Sequence, residues 1–208
     1  MNSCCQDSCC EIERLRARQA GTLKIVLALN AAMFVVEIIA GVLAGSVALV
    51  ADSLDMLGDA LVYAFSLYVV AMGPVWKVRA ALAKAAVMAL FGLFVLGQLV
   101  YKIMFPELPS YAAMGTVGAL ALLVNTLCFA LIWRHRAEDI NMRSVWLCSR
   151  NDLVANTSVI AASALVWVFG SPWPDIAVGA MIAALFLRSA MVVTREARQE
   201  MTGQSSHY

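Results

Sequence analysis

The sequence predicts an all-α integral membrane protein with six transmembrane helices and both termini in the cytoplasm. Of its 208 residues, 62% are hydrophobic and only 14% are charged, whereas charged residues make up about a quarter of an average soluble domain. Stretches nearly free of charge recur along the whole chain, and each is long enough to cross a bilayer, which takes roughly 20 mainly apolar residues. We therefore expect one membrane domain and no second folded domain.

Compact breaks separate the predicted spans. The Gly-rich turn GVLAGS occupies 41–46, and the connections FPELPS at 105–110 and GSPWPD at 170–175 carry prolines that stop helices. The other two connections, at 72–80 and 134–143, are longer and basic. In chain order, the predicted spans are Leu23–Leu43, Val47–Met72, Leu82–Met104, Met114–Trp133, Val145–Phe169 and Ile176–Val193.

Basic residues predict the orientation of the bundle. They cluster before the first span, in the two basic connections and after the last span, whereas the opposite ends carry Lys102, Glu107 and Asp175. The positive-inside rule then places both termini in the cytoplasm with an even number of spans. This topology divides the chain into a cytoplasmic cysteine-containing segment at 1–22, a six-helix transmembrane domain at 23–193 and a short cytoplasmic tail at 194–208.

The second span contains three carboxylates in VALVADSLDMLGDALVYAF. Asp55 and Asp59 are i,i+4 neighbours and share one helix face, and Asp52 lies near that face. One Asp at the centre of a membrane helix costs about 2.5–3.5 kcal/mol on a translocon scale. Two or three on one helix therefore require compensation. An alternative is that Asp52 caps the helix near its outer end while the other two face a water-filled cleft.

A second polar pair lies in the fifth span. Cys148 and Asp152 are also i,i+4 neighbours, and Asn156 extends their face by one turn. At a rise of about 1.5 Å per residue, this pair and the pair in the second span fall at similar depths, on the cytoplasmic side of the bilayer midplane. Three carboxylates and one thiolate suit a tetrahedral Zn²⁺ or Cd²⁺ site and suit Mg²⁺ poorly.

Further polar residues lie within the predicted spans. Asn30 and Glu37 share a face of the first span. Glu37 lines an ion path or accepts a proton on one interpretation, and forms a buried hydrogen bond to a neighbouring helix on the other. Asn125 and Thr126 are expected to make hydrogen bonds between helices. Together, Glu37, Asp52 and Asn156 are candidate accessory residues of the site.

At these motifs the sequence resembles the cation diffusion facilitator family of six-helix metal-ion/proton antiporters. ADSLDMLGD matches the acidic motif of the family's second helix, GSVALVADS matches the sequence leading into it, and CSRNDLVANTSVI matches the motif of the fifth helix. The resemblance covers the whole membrane region. It implies that Asp55 and Asp59 of the second helix, with Cys148 and Asp152 of the fifth, bind the transported metal.

Three features depart from the family pattern. Cys148 stands where the family usually has His, so the metal preference does not transfer directly. The connection between the second and third spans lacks the histidines of an accessory site. The sequence ends at Tyr208 without the soluble C-terminal domain that is common in the family, so we expect a short form. The homodimer expected of the family would then depend on contacts within the membrane.

The N-terminal segment MNSCCQDSCCEIERLR contains four of the six cysteines, namely Cys4, Cys5, Cys9 and Cys10. Clustered cysteines on the cytoplasmic side indicate metal or redox chemistry rather than stable disulfides. They are candidates for soft-metal capture, although a thiol-bearing tail without a specific role is also open. They also support an alternative function, that of a membrane thiol-redox or mercuric-ion-binding protein. A third alternative is a membrane metal sensor without transport.

The predicted function is efflux of a divalent metal cation, Zn²⁺ or else Cd²⁺ or Co²⁺, by antiport with H⁺. Carboxylates at close range repel one another and burial disfavours their charge, so the empty site is expected to hold protons that a metal ion displaces. Such a protein is a secondary transporter, not an enzyme, and has no resident cofactor. Its expected partners are the metal ion, the lipid bilayer and a second copy of the chain, without nucleic acid. The expected location is the bacterial inner membrane.

Overall fold

Each of the six predicted spans falls within one α-helix of the computed structural model, except that residues 70–72 of the second span lie outside the described residues. The structure describes the backbone of residues 3–69, 74–133 and 140–204, and the side chains of 21, 22, 24–61, 64, 82, 83, 85–133 and 152–195. The helices are α1 (Ser3–Ala44), α2 (Val47–Val69), α3 (Pro74–Met104), α4 (Tyr111–Trp133), α5 (Ile140–Phe169) and α6 (Trp173–Gln204). The all-α prediction is confirmed, and this described part contains no strand.

Several helices are longer than the apolar segments that predicted them. α1 begins at Ser3 rather than Leu23, and α6 continues to Gln204 rather than ending at Val193. Hydropathy marks only the part of a helix that suits lipid, whereas a helix satisfies its own backbone hydrogen bonds and continues into polar sequence. The domain boundaries, the count of six membrane crossings and the cytoplasmic termini stay predictions.

Within the described residues, five helices are long and apolar enough to span a membrane on their own composition. α2 is not among them, and every 18-residue stretch of its sequence includes all three aspartates. The other helices expose large apolar side chains, including Phe94 and Tyr101 of α3 and Trp167 of α5. Such a surface is suited to lipid, so the chain is a multi-pass integral membrane protein.

The helix with the aspartates is the most enclosed part of the bundle. α2 packs against α1, α3, α5 and α6. Ala48 and Leu49 of α2 form one apolar cluster with Val159 of α5. A second cluster, two turns further along α2, joins Met56 to apolar residues of α1 and α4. These neighbours shield residues 47–61 of α2, which include the aspartates, and this explains how a span of this composition lies within the membrane.

A tight turn joins α1 to α2 and determines where α2 begins. Gly45 has a φ of 62°, a left-handed conformation that glycine adopts without a steric penalty. The next residue, Ser46, accepts a hydrogen bond at 3.1 Å from the backbone N–H of Leu49 and so caps the helix. The alternative in which Asp52 caps α2 is therefore wrong, since Asp52 lies inside the helix and is 1% exposed.

The interhelical hydrogen bond expected of Thr126 is also wrong. Its hydroxyl donates to the carbonyl oxygen of Leu122, four residues earlier in α4, at 2.6 Å, and the residue is exposed. A threonine in a membrane helix can satisfy its hydroxyl within its own turn, so it needs no partner on another helix.

The backbones of α1 and α2 approach closely beside this turn. A Cβ atom at Gly41 of α1 would lie 2.9 Å from Cγ2 of Val50 and 3.0 Å from its backbone nitrogen. The second atom belongs to the α2 backbone and cannot rotate away. Glycine at this position therefore allows a contact that any larger residue would push apart.

We predict that Gly41→Ala destabilises the bundle relative to Gly97→Ala, by about 1–3 kcal/mol for overpacking. Gly97 lies in α3, and a Cβ there would meet nothing within 4 Å. Both substitutions gain the same helix propensity, so their difference isolates the clash. Thermal unfolding in detergent, followed by circular dichroism, measures it. Equal stability of the two variants would contradict the close contact.

Candidate functional site

Carboxyl groups from α2 and α5 meet inside the bundle. Asp59 is 4% exposed and Asp152 is 9% exposed, and their side chains lie close enough to share a hydrogen bond. Two ionised carboxylates only accept hydrogen bonds, so a bond between them would require a proton on one of the two. The structure thus brings together two of the residues that the sequence predicted to lie at one level, from helices that are far apart in the chain.

The other two aspartates of α2 extend this acidic region. Both Asp55 and Asp52 lie close enough to Asp152 for their charges to act on it. Asp52 is buried, and Asp55 is only partly buried. The i,i+4 and i,i+3 spacing along α2 places the three carboxyl groups along one side of the helix, and that side faces the bundle interior. Like charges gathered in this way strongly favour a bound cation or proton.

Glu37 brings a further carboxyl group to the same region from α1. It is 0% exposed, and it lies within electrostatic range of Asp52 and Asp55. Neither of its carboxyl oxygens has a hydrogen-bond partner among the described residues. Of the two interpretations of Glu37, a buried hydrogen bond to a neighbouring helix is therefore not what the described residues show. Its carboxyl group instead adds to the acidic region.

Two asparagines, one in α1 and one in α5, have buried side-chain amides. The Asn156 side-chain nitrogen donates to the carbonyl oxygen of Asp152 at 2.8 Å, and that of Asn30 donates to the carbonyl oxygen of Val26 at 3.0 Å. In both cases the amide oxygen is buried without a hydrogen-bond partner among the described residues. An amide oxygen is an acceptor for a cation or a hydroxyl, so Asn156 stays a candidate accessory ligand.

Sequence reasoning overlooked Cys128 of α4. Its side chain is 1% exposed and lies within electrostatic range of Asp59. In the sequence it is one cysteine in an apolar helix, which usually indicates packing. The i,i+3 spacing from buried Asn125 was the available signal, because it places a polar side chain and a thiol on one face.

The sequence also did not reveal that Asp175 and Lys102 hold helices together. Both were assigned to the outer ends of the helices for their charge alone, yet they are 0% and 6% exposed. They form an ion pair at 3.5 Å, beside the first turn of α2. Nothing in the local sequence pattern indicates which distant acid would reach that turn.

The remaining predicted ligands fall outside the described side chains. Cys148 lies within α5 and the four N-terminal cysteines lie within α1, but no side-chain position is described for them. Among the side chains that are described, no group of three or more His, Cys, Asp or Glu residues is close enough to hold a metal ion. The four-ligand site of Asp55, Asp59, Cys148 and Asp152 therefore stays a prediction.

The fold and these acids together define a multi-pass membrane protein with a buried acidic centre. Residues 23–202 match the model of the cation efflux transmembrane domain. The chain therefore belongs to the cation efflux family, and the resemblance found in the sequence is confirmed.

Curated relatives agree with this assignment. The chain is 24% identical over 186 residues to the metal cation efflux system protein CzcD of Cupriavidus metallidurans, which covers 84% of this chain and 59% of that protein. It is 24% identical over 176 residues to the cadmium, cobalt and zinc/H(+)-K(+) antiporter of Bacillus subtilis, covering 78% and 57%. It is 28% identical over 200 residues to the zinc transporter ZitB of Pectobacterium atrosepticum, covering 88% and 62%. The chain thus spans about three fifths of the length of these relatives.

We predict that Asp59→Ala and Asp152→Ala are not additive in their effect on stability. Each single change leaves one buried carboxyl group without its partner, so the double variant should differ from the sum by about 0.5–3 kcal/mol. Thermal unfolding in metal-free detergent measures this coupling. Asp59→Ala combined with Thr157→Val is the control, because Thr157 is exposed and donates to Leu153 within α5 at 2.6 Å. Additivity in both pairs would contradict the shared hydrogen bond.

Proposed function

We propose that this protein exports divalent metal cations, Zn²⁺ foremost, in exchange for protons. It acts as a secondary transporter rather than an enzyme. The observation that carries the proposal is the pairing of Asp59 with Asp152 in the bundle interior, in a chain of the cation efflux family. The names of the relatives, which include a metal cation efflux protein, an antiporter and a zinc transporter, support it.

The proposed ligands of the transported ion are Asp55, Asp59, Cys148 and Asp152. Each helix supplies a pair at i,i+4 spacing, so two helices provide four donors around one point. The close approach of the Asp59 and Asp152 side chains supports the idea that the α2 and α5 donors reach one another. Glu37, Asp52 and the amide oxygen of Asn156 lie close by as accessory groups, able to hold a proton or to guide the ion.

Zn²⁺ fits this donor set better than the common hard cations. Carboxylate oxygens with one thiolate sulfur suit a tetrahedral ion, whereas Mg²⁺ requires an octahedron of oxygens and Ca²⁺ requires six to eight. Cd²⁺ shares the preference for sulfur, and Co²⁺ ranks below Zn²⁺ for such sites in the usual affinity order. Zn²⁺ is therefore the proposed substrate, with Cd²⁺ and Co²⁺ as further ones.

Proton exchange follows from the same acids. Without metal, the repulsion among buried carboxylates favours protonated forms, and a hydrogen bond between Asp59 and Asp152 itself needs one proton. A metal ion binds the deprotonated groups, so its arrival releases protons and its departure takes them up. If the metal-bound and proton-bound forms favour opposite openings of the bundle, metal moves out as protons move in.

The other proposals concern the surroundings of the site. Cys4, Cys5, Cys9 and Cys10 are proposed to capture soft metal ions at the cytoplasmic face and pass them to α2 and α5. A homodimer in the inner membrane of a bacterium is the proposed assembly and location. The alternative of a thiol-redox or mercuric-ion-binding protein receives no support from the relatives reported above.

We predict that Asp59→Ala or Asp152→Ala abolishes Zn²⁺ transport, because each removes one of four ligands and the i,i+4 geometry offers no spare. Uptake of Zn²⁺ into proteoliposomes with an outward proton gradient measures transport, with the amount of inserted protein determined in the same vesicles. Glu107→Ala is the control, since Glu107 is an exposed acid in the loop after α3. Flux at the wild-type rate from either Asp variant would refute the shared site.

A further inference from the structure

Asp175, at the beginning of α6, binds the first turn of α2. Its two carboxyl oxygens accept three hydrogen bonds: from the Ser46 hydroxyl at 2.6 Å, from the Val47 N–H at 3.0 Å and from the Ala48 N–H at 3.0 Å. The first N–H groups of a helix have no partner within the helix, and the helix dipole favours a negative charge there. One side chain on α6 thus satisfies the first two backbone N–H groups of the helix that carries the acids, and the Ser46 hydroxyl satisfies the third.

Lys102, at the end of α3, holds this carboxylate from the other side. Its ammonium group lies 3.5 Å from Oδ2 of Asp175 and donates a hydrogen bond to the carbonyl oxygen of Gly45, in the turn before α2. Both charged residues are almost fully buried. Separating such a pair leaves two uncompensated buried charges and costs several kcal/mol. A contact of this kind is therefore suited to staying closed through a transport cycle.

Close packing between α6 and the first turn of α2 prevents the two helices from sliding past each other. A Cβ at Gly179 of α6 would lie 2.9 Å from Cγ1 of Val47 and 3.4 Å from the Ala48 nitrogen. The backbone of α6 thus lies directly against the first turn of α2. In addition, the N–H of Ser110, just before α4, donates to the carbonyl oxygen of Ala44 at 2.9 Å. The turn between α1 and α2 is thereby attached to α3, α4 and α6.

The predicted metal ligands of α2 lie at a distance from its attached end. Asp55 and Asp59 follow Val47 by eight and twelve residues, which is about 12 and 18 Å of helix. A helix held at one end moves least near that end and most at the other. Asp55 and Asp59 would then change position by tilting of α2 about its outer end.

We propose that Asp175, held by Lys102, is a positioning residue for metal transport that fixes the outer end of α2 to α6 through the whole cycle. α2 tilts about this point, and the depth of its two metal ligands is set from it. The inference rests on the proposed function, because it assigns a role in moving the same ion. It adds two residues that touch neither the metal nor its ligands.

A cross-link tests whether this end stays closed. Val47→Cys with Gly179→Cys places two thiols in the existing contact and leaves Asp175, Lys102 and Ser46 in place. The full chain is reconstituted, oxidised with diamide, and assayed for Zn²⁺ flux before and after reduction, with cross-linking determined by peptide mass spectrometry. Val47→Cys alone and Gly179→Cys alone, treated identically, control for oxidation of the native thiols.

A fixed end predicts that the cross-linked protein keeps its flux, within about two-fold of the reduced sample, as expected of a contact that does not open. Loss of flux that reduction restores would overturn the proposal and make this contact a gate. Failure of the thiols to join would contradict the contact itself. Absence of flux from untreated wild-type protein would instead refute the proposed transport function, so the two failures are distinguishable.

Substitution of Asp175 tests the positioning role separately. Asp175→Ala removes the acceptors for the Val47 and Ala48 N–H groups of α2, and it should raise the KM for Zn²⁺ about tenfold, the low end for loss of a group that orients metal ligands. Asp175→Asn keeps one acceptor oxygen, so it should raise the KM for Zn²⁺ less than Asp175→Ala does. Lys102→Met keeps the Asp175 carboxylate, so its KM should lie between those of the wild type and Asp175→Ala. A purely structural role would lower the amount of folded protein with KM unchanged, and that result would overturn the proposal.

Discussion

Burial of the carboxyl groups of α2 is the constraint on which the rest of the structure depends. At about 2.5–3.5 kcal/mol for each Asp at the centre of a membrane helix, the three aspartates disfavour contact between lipid and the part of α2 that carries them. The helix accordingly lies among α1, α3, α5 and α6, whose outward faces carry the apolar side chains. The partners that offset the burial are other acids with their protons, such as Asp152, and in our proposal the transported ion.

The two polar regions of the bundle serve different purposes. At the outer end, Asp175 and Lys102 satisfy each other and the first turn of α2, so that region is stable with one set of partners. In the interior, Glu37 and Asp52 retain buried oxygens without hydrogen-bond partners among the described residues. Unsatisfied buried groups are costly, and such a region can accept a cation or protons. One end of α2 is thus fixed, and its middle is chemically responsive.

Local patterns in the sequence predicted most of the fold and part of the site. Runs of apolar residues located all six helices, and i,i+4 spacing with a count of helix rise brought Asp59 and Asp152 to one level. The role of Asp175 was not predictable, because its partner Ser46 is 129 residues away and no periodic pattern links them. Cys128 was missed because a single thiol in an apolar helix resembles packing until the position of Asp59 is known. The site's dependence on Cys148 stays a prediction, since its side chain is outside the described residues.

The most direct test of the central claim, that metal and protons compete for the same buried acids, is proton release on metal binding. Purified protein in weakly buffered detergent is titrated with Zn²⁺ while a pH indicator and a calorimeter record protons released and metal bound. Our account predicts that protons leave the wild-type protein in step with Zn²⁺ binding, and that Glu107→Ala behaves identically. Zn²⁺ binding without release of protons would contradict it, because the acids would then be ionised before the metal arrives.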